Sequence, residues 1–183
     1  MIITGNKNKG LAGELYKLYP TAEFCSRETG FELTKSEFQE KFAQECLNHD
    51  KIVICSALWK FQQTVLLDCV HKLCVKHKHS PHIVVIGSTT DRVKNGKPWL
   101  YNAEKKALRD YSNTLAIGGV WADTPKVSYI SFGTLSNNQE KHPDRKCMDI
   151  HLAAEYIKWI FDQPTHININ EISIDPLQRE QND

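Results

Sequence analysis

Short apolar runs alternate along the chain with longer stretches in which apolar residues recur every three or four positions. The runs are typical of buried strands, and the stretches are typical of amphipathic helices. Their alternation favours an α/β sheet with helices on its faces. The predicted strands are 1–5, 21–25, 51–55, 83–87, 127–131 and 167–174, with a stub at 31–33.

Local signals indicate where the helices between these strands begin and end. Thr34 and Glu37 have the spacing of a capping box, and Pro98 suits the first position of a helix. Asn95-Gly96 and Gly118-Gly119 predict turns before and after that helix. The predicted helices begin near Leu11, Thr34, Trp59, Pro98 and Asp149.

Composition and charge narrow the class of protein. The 183 residues are 40% hydrophobic with a net charge of +1, which predicts one globular domain over 1–177 and a loose tail over 178–183. Without a basic block or a long apolar stretch, we expect neither a nucleic-acid nor a membrane partner. The first residues already belong to a strand, so we expect no signal peptide.

The cysteines and histidines do not predict a metal site. The six cysteines lack paired ligand spacing, which favours reduced thiols in a cytoplasmic protein. Histidines cluster between 71 and 82, but no cysteine or acid completes a ligand set, and a basic helix end also complements the helix dipole. We therefore expect no bound metal.

The first turn of the chain has the features of a phosphate site. A short strand ends at Gly5, a polar turn follows, and a helix opens after Gly10. Glycines allow close backbone approach to an anion, which the helix N-terminus also favours. A tight turn without a ligand would show the same spacing, so the motif alone leaves both readings open. The candidate contacts are Gly5, Asn6, Lys7, Asn8, Gly10 and Leu11.

A second chemical pattern follows the buried run 83–87. Ser88 stands at the end of this predicted strand, and Tyr101 and Lys105 lie four residues apart on the next helix. Residues at that spacing share a helix face, so the ammonium is expected to lower the pKa of the phenol and make it a proton donor or acceptor. An ordinary solvated helix face is the alternative reading of the pair.

Together, the Gly5 to Gly10 turn, Ser88 and the Tyr101/Lys105 pair resemble the short-chain dehydrogenase/reductase family. The segment 101–108 resembles its active-site helix, and 130–134 its strand-end turn with Phe132 in place of proline. Cys55-Ser56-Ala57 resembles the family's Asn-Asn-Ala-Gly stretch with both asparagines and the glycine replaced. The resemblance implies an open, doubly wound, mostly parallel Rossmann-like sheet with helices on both faces and the order 3-2-1-4-5-6-7.

The resemblance also implies a role for each matching residue. Tyr101 would be the general acid or base, Lys105 would hold the nicotinamide ribose, and Ser88 would steady the substrate oxygen. Arg27, just past the second strand, implies NADP(H) in preference to NAD(H). The asparagine that often relays protons in the family is replaced near Lys60 or Gln62. Further cofactor contacts implied are Ser26, Arg27, Leu33, Cys55, Ser56, Ala57, Gly133 and Thr134.

The function expected is interconversion of a carbonyl and an alcohol, with a small molecule as substrate. The altered Cys55-Ser56-Ala57 stretch keeps an alternative open, a dinucleotide-binding sensor or scaffold with little turnover. The segment after Gly133 is short, which implies an open site. The helices near 61–75 and 100–115 imply a homodimer or homotetramer.

Overall fold

The computed structural model describes residues 1–92 and 99–178, so the predicted Asn95-Gly96 turn and Pro98 lie outside the described residues. Six parallel strands form a sheet in the order β2-β1-β3-β4-β5-β6. The strands are β1 (Ile2–Thr4), β2 (Glu23–Cys25), β3 (Lys51–Ile54), β4 (His82–Ile86), β5 (Lys126–Phe132) and β6 (Glu171–Ile174).

Helices cover both faces of the sheet. They are α1 (Gly10–Leu18), α2 (Ser36–Cys46), α3 (Gln62–Lys76), α4 (Leu100–Trp121) and α5 (Ile150–Phe161). Alternate strand residues point to opposite faces, so Ile52 packs with α2, α3 and α4, whereas Val53 packs with α1 and α5. The predicted Rossmann-like α/β fold is confirmed.

The strand order differs from the prediction by one strand, because 31–33 forms none. A 3₁₀ turn at Arg27–Thr29 reverses the chain at Gly30, and the Phe31 N–H donates to the Ser26 carbonyl at 2.8 Å. Phe31 and Leu33 are buried as core side chains instead. The apolar character of these residues reflects their burial in the core. Too few residues lie between β2 and α2 for a crossover to another strand.

Two predicted helix ends are also corrected. The capping box does not form, since Thr34 Oγ1 donates to Glu32 at 2.8 Å and α2 begins at Ser36. Helix α4 continues through Gly118-Gly119 to Trp121. A glycine in a helix interior lowers the stability of the helix by only about 1 kcal/mol, and the packing of α4 on the sheet offsets this loss.

The last strand begins later than predicted, at Glu171 rather than near 167. The Asn168 side-chain amide donates to the Val127 carbonyl at 3.1 Å and to Asn170 Oδ1 at 2.8 Å. These bonds hold a loop where the alternation of Ile and Asn predicted a strand. The single domain and the tail from 178 stay predictions, although Gln178 exchanges two hydrogen bonds with the Lys146 backbone.

Candidate active site

Two adjoining cavities lie at the carboxyl ends of the strands, where parallel α/β sheets bind ligands. The first has a volume of about 590 Å³ and the second about 360 Å³. Gly5, Asn6, Lys9 and Ala57 line both, so the cavities form one groove. We call the first the catalytic cavity, because Ser88 and Tyr101 line it, and the second the nucleotide cavity, because Ser26 and Arg27 line it.

The structure brings the three predicted catalytic residues together. Ser88 follows β4, while Tyr101 and Lys105 lie on the first two turns of α4. Tyr101 is hydrogen-bonded to Ser88, and Lys105 Nζ is 5.4 Å from the centre of the Tyr101 ring. Lys105 is only 4% exposed and approaches the site from beneath.

The electrostatics of the pair differ from the sequence prediction. Burial raises the pKa of Tyr101; the hydrogen bond from Ser88 opposes this rise, and the charge of Glu104 adds to it. Burial lowers the pKa of Lys105 to about 8. The expectation of a lowered phenol pKa is therefore wrong for this structure, because desolvation by burial raises it. The phenol keeps its proton at neutral pH, as a general acid requires.

Gln63 holds Lys105 in place. Lys105 Nζ donates to Gln63 Oε1 at 2.6 Å, and Gln63 Nε2 donates to the carbonyls of Ile86 at 2.8 Å and Ile54 at 3.3 Å. The amide therefore ties the ammonium to the ends of two strands. Sequence reasoning looked for an altered residue at Lys60 or Gln62 and missed Gln63. Gln63 could have been identified by its position on the buried stripe of α3, which it shares with Leu66, Leu67, Val70 and Cys74.

A buried tyrosine supports the backbone of Ser88. A hydrogen bond from the Ser88 backbone reaches the Tyr129 hydroxyl, which donates to Asp91 Oδ2 at 2.9 Å. The phenol fills the space beside Gly87, where an added Cβ would lie 1.9 Å from Tyr129 Oη. Asp91 is also 3.2 Å from Arg92. Sequence reasoning missed Tyr129 and Asp91, whose burial depends on packing across the sheet.

The first turn brings some of its predicted residues to the groove. Gly5 has a φ of +132° and lies so close to α1 that an added Cβ would be 2.8 Å from Ala12 Cβ. Lys9 lines both cavities, Leu11 lines the catalytic cavity, and Gly10 opens α1 with a φ of +56°.

Three residues predicted at this turn, Lys7, Asn8 and Gly10, do not line either cavity. Lys7 Nζ lies 5.4 Å from the centre of the Tyr16 ring, and the Asn8 N–H donates to Asn6 Oδ1 at 2.8 Å. Their contact with a cofactor stays a prediction. The turn thus presents Gly5, Asn6 and Lys9 to the groove.

The turn after β3 is fixed by Thr4. Its Oγ1 accepts hydrogen bonds from the backbone N–H groups of Cys55 at 2.8 Å and Ser56 at 2.9 Å. Cys55 lines the catalytic cavity, Ser56 lines the nucleotide cavity, and Ala57 lines both. This turn therefore keeps its place in the groove although its side chains depart from the family pattern.

The remaining predicted contacts divide between the cavities. Gly133 and Thr134 line the catalytic cavity, and Leu33 joins Phe31 and Leu58 as an apolar wall of the nucleotide cavity. Sequence reasoning missed Thr89, Thr90, Leu135, Asn138, His142 and Arg145, which also line the catalytic cavity. Thr89 and Thr90 could have been identified by their position just after β4. The other four could have been identified by their position in the segment that follows Gly133.

Tyr101 is flanked by two tryptophan rings. Its ring centre is 5.2 Å from that of Trp59 and 5.3 Å from that of Trp99. Both tryptophans are more than half exposed, so flat apolar surface faces solvent beside the phenol. Within 1–92 and 99–178, acidic, His and Cys side chains form no cluster that could hold a metal ion. The helices of this part of the chain are too short or too polar to span a membrane.

Comparison with known proteins finds similarity in structure but not in sequence. No family model matches the chain, and no curated protein matches it. A serine dehydrogenase complexed with NADP+ superposes with a TM-score of 0.75 at 15% identity, covering 100% of this chain and 98% of its own.

Two further solved structures show the same architecture. A short-chain dehydrogenase from Burkholderia cenocepacia in complex with NADP gives a TM-score of 0.72 at 10% identity, over 94% of this chain and 86% of its own. A 4-hydroxyisoleucine dehydrogenase complexed with NADH and succinate gives a TM-score of 0.70 at 16% identity, over 96% of this chain and 97% of its own. The chain therefore has the fold of the short-chain dehydrogenases and reductases.

Proposed function

We propose that this chain is an NAD(P)(H)-dependent oxidoreductase of the short-chain dehydrogenase/reductase family that interconverts a carbonyl and an alcohol. The observation that carries the proposal is the Ser88–Tyr101 hydrogen bond, with the Lys105 ammonium close to the Tyr101 ring, at one end of a groove. The fold of the solved structures supports the same function, since several are complexed with a nicotinamide dinucleotide.

The groove fits a dinucleotide. Its nucleotide cavity offers the apolar side chains Phe31, Leu33 and Leu58 for a flat base, and Arg27 for a phosphate or ribose. Gly5 lines both cavities, its lack of a Cβ lets α1 pack close to the turn, and the N–H groups at the start of α1 suit an anion. When bound, the cofactor supplies or accepts the hydride.

The protein residues would move the proton. In reduction, the Tyr101 phenol donates its proton to the carbonyl oxygen, and Ser88 Oγ donates a hydrogen bond to the same oxygen. The Lys105 ammonium then stabilises the tyrosinate, because a positive charge in a buried site acts strongly on a nearby negative one. In oxidation, the phenol must first lose its proton, and the raised pKa of Tyr101 opposes that loss.

The cofactor proposed is NADP(H) in preference to NAD(H). Arg27 and Lys9 line the nucleotide cavity and suit a 2′-phosphate. Glu28 and Glu32 line it too, and an acid suits a free 2′-hydroxyl instead. Solved structures of this fold are complexed with NADP+ or with NADH. The preference therefore depends on which of these side chains meets the ribose.

The test is a titration of the purified protein with NADPH and NADH, followed by fluorescence, and then a reductase screen over a carbonyl panel. We expect binding of NADPH and reduction of at least one carbonyl. Tyr101→Phe should lower the rate by about 10²–10⁴-fold and leave NADPH binding unchanged. Tyr16→Phe is the control, because Tyr16 packs on Phe24 and lines neither cavity. Equal loss of binding and turnover in Tyr101→Phe contradicts its role.

A nucleotide-binding sensor or scaffold is the second candidate. One observation favours it: Cys55 stands where the family pattern has an asparagine. Tight NADPH binding without turnover on any carbonyl would support this candidate. If the protein bound neither NADPH nor NADH, both candidate functions would be contradicted.

Assembly and location are part of the proposal. We expect a homodimer or homotetramer through α3 and α4, which expose Val65, Val75, Ile117, Val120 and Trp121. A cytoplasmic location is supported by the cysteines, all six of which are free thiols. Light scattering on the purified protein tests the first expectation.

A further inference from the structure

The catalytic cavity has an unbalanced charge. Its described lining contains Lys9, His142 and Arg145 and no aspartate or glutamate. Lys9 also lines the nucleotide cavity, where the phosphates of a dinucleotide account for it. His142 and Arg145 line the catalytic cavity alone, so the positive charge of the Arg145 guanidinium is left for a second anion, and the His142 ring offers a further hydrogen-bonding group.

The backbones of these two residues are held in a fixed arrangement. The Gln139 side chain donates one hydrogen bond to the His142 carbonyl at 3.1 Å and another to the Arg145 carbonyl at 2.9 Å. The Arg145 N–H in turn donates to the His142 carbonyl at 3.1 Å. A single amide therefore holds the backbones of both residues at the edge of the cavity.

The Arg145 guanidinium is available to a ligand. Arg145 is exposed, and within 1–92 and 99–178 the ion pairs involve other residues. A guanidinium binds a carboxylate through two parallel hydrogen bonds, which makes it more selective for that group than an ammonium. An exposed arginine at a cavity without carboxylates is suited to a carboxylate ligand.

Other walls of the same cavity are apolar. Trp99, Ile86, Phe132 and Leu135 line it together with Ser88 and Tyr101. Trp99 is 53% exposed, and its ring lies 5.3 Å from that of Tyr101. A substrate carbonyl at Tyr101 thus has a flat apolar surface and a cationic surface within one cavity.

We propose that the substrate is an oxo acid, whose carboxylate binds Arg145 and His142 while its apolar part packs against Trp99. This inference rests on the proposed reductase function. The carbonyl carbon accepts a hydride from the reduced nicotinamide, and its oxygen accepts the Tyr101 proton, which solvent replaces. The cofactor is oxidised, the substrate becomes a hydroxy acid, and its carboxylate is unchanged.

The test compares benzoylformate with its methyl ester, which differ in charge but share the ketone and the ring. With NADPH, we expect the KM of the ester to exceed that of the acid by about 10-fold or more, since a hydrogen bond to a charged group contributes about 1.5–3 kcal/mol. Arg145→Gln should raise the KM of the acid toward that of the ester and leave the ester unchanged.

Lys141→Gln is the matched control. It removes the same charge from the same segment, but Lys141 does not line the cavity. We expect it to keep the difference between acid and ester. NADPH binding is measured in both variants, and calorimetric titration of benzoylformate into the protein with NADP+ measures substrate binding without turnover.

Each result decides a different question. Reduction of the ester as efficiently as the acid by the native protein overturns the inference and leaves the proposed function standing. Weaker NADPH binding in Arg145→Gln also overturns it, because Arg145 would then contact the cofactor. Failure to reduce any carbonyl overturns the proposed function, and the inference is overturned with it unless benzoylformate still binds in an Arg145-dependent way.

Discussion

The catalytic side and the nucleotide side of the groove are built differently. Lys105 and Gln63 are at most 4% exposed, and Tyr129 behind Ser88 is fully buried. By contrast, Lys9 and Arg27 on the nucleotide side are exposed. A packed interior transmits any change of shape, whereas solvated charges act independently. Changes on the catalytic side should therefore affect folding and proton transfer together, and changes on the nucleotide side should affect cofactor preference alone.

The largest effect is expected from Gly87→Ala. The new Cβ would lie 1.9 Å from Tyr129 Oη, so the tyrosine or the Ser88 backbone must move. Overpacking of this kind costs about 1–3 kcal/mol or more in the free energy of unfolding, measured by urea denaturation. We also expect loss of reductase activity, because Ser88 moves with the backbone.

Gly118→Ala is the matched control on the exposed side of α4. Nothing lies within 4 Å of its added Cβ, so the change should stabilise the protein by about 0.5–1 kcal/mol. Equal stability of the two variants would mean that Tyr129 does not pack tightly against Gly87.

Gln63→Leu is expected to have the next largest effect. It keeps the volume of the side chain but removes the acceptor 2.6 Å from Lys105 Nζ. Loss of a hydrogen bond to a buried charge costs about 1.5–3 kcal/mol, and the freed ammonium should no longer lie beside Tyr101. Urea denaturation and reductase kinetics measure the two effects.

Gln62→Leu provides the comparison on the same helix. Gln62 accepts a hydrogen bond from Gln39 at 2.8 Å and does not contact Lys105. We expect a smaller loss of stability, about 0.5–1.5 kcal/mol, and native kinetics. Native activity in Gln63→Leu would show that the position of Lys105 does not depend on the amide.

The pH dependence of stability tests the burial of Lys105. Its folded pKa is lowered from 10.5 to about 8, so between these values the unfolded chain binds a proton that the folded chain does not. Stability from this residue therefore rises as pH rises from 8 to 10.5. Relative to Lys105→Met, the native protein should gain about 3 kcal/mol over this window.

The comparison with Lys105→Met cancels other groups that titrate in the same range. Burial raises the pKa of Cys25 to about 12, and such a thiol lowers stability as pH rises above 9. It is present in both proteins. Parallel stability curves for the two proteins from pH 8 to 10.5 would contradict the buried position of Lys105.

The smallest effects are expected on the nucleotide side. Arg27→Ala should weaken NADPH binding by about 10-fold and leave NADH binding and the unfolding free energy unchanged. Lys7→Ala should change neither affinity measurably, because its ammonium lies over the Tyr16 ring and away from both cavities. Equal weakening of NADPH and NADH by Arg27→Ala would show that Arg27 does not distinguish the 2′-phosphate.

The same contrast separates what sequence reasoning reached from what it missed. Local patterns identified the strands, because continuous runs such as 83–87 can be buried on both faces only in a covered sheet. They also placed Ser88 at a strand end and Tyr101 and Lys105 on one helix face, since both are local geometry, whereas the grouping of the three in one site came from the family resemblance. They failed at 31–33, where apolar residues enter the core without pairing as a strand.

By itself, then, the sequence determined the α/β fold and the groove at the strand ends, which depend on periodicity and chain direction, and its resemblance to a known family supplied the candidate residues for proton transfer. Tertiary structure alone decided how those residues are supported and charged. Gln63 reaches Lys105 across 42 positions of sequence, and Tyr129 reaches Asp91 across 38. Desolvation by such packing raises the pKa of Tyr101 rather than lowering it, and burial of this kind is a property of the folded core rather than of any local spacing.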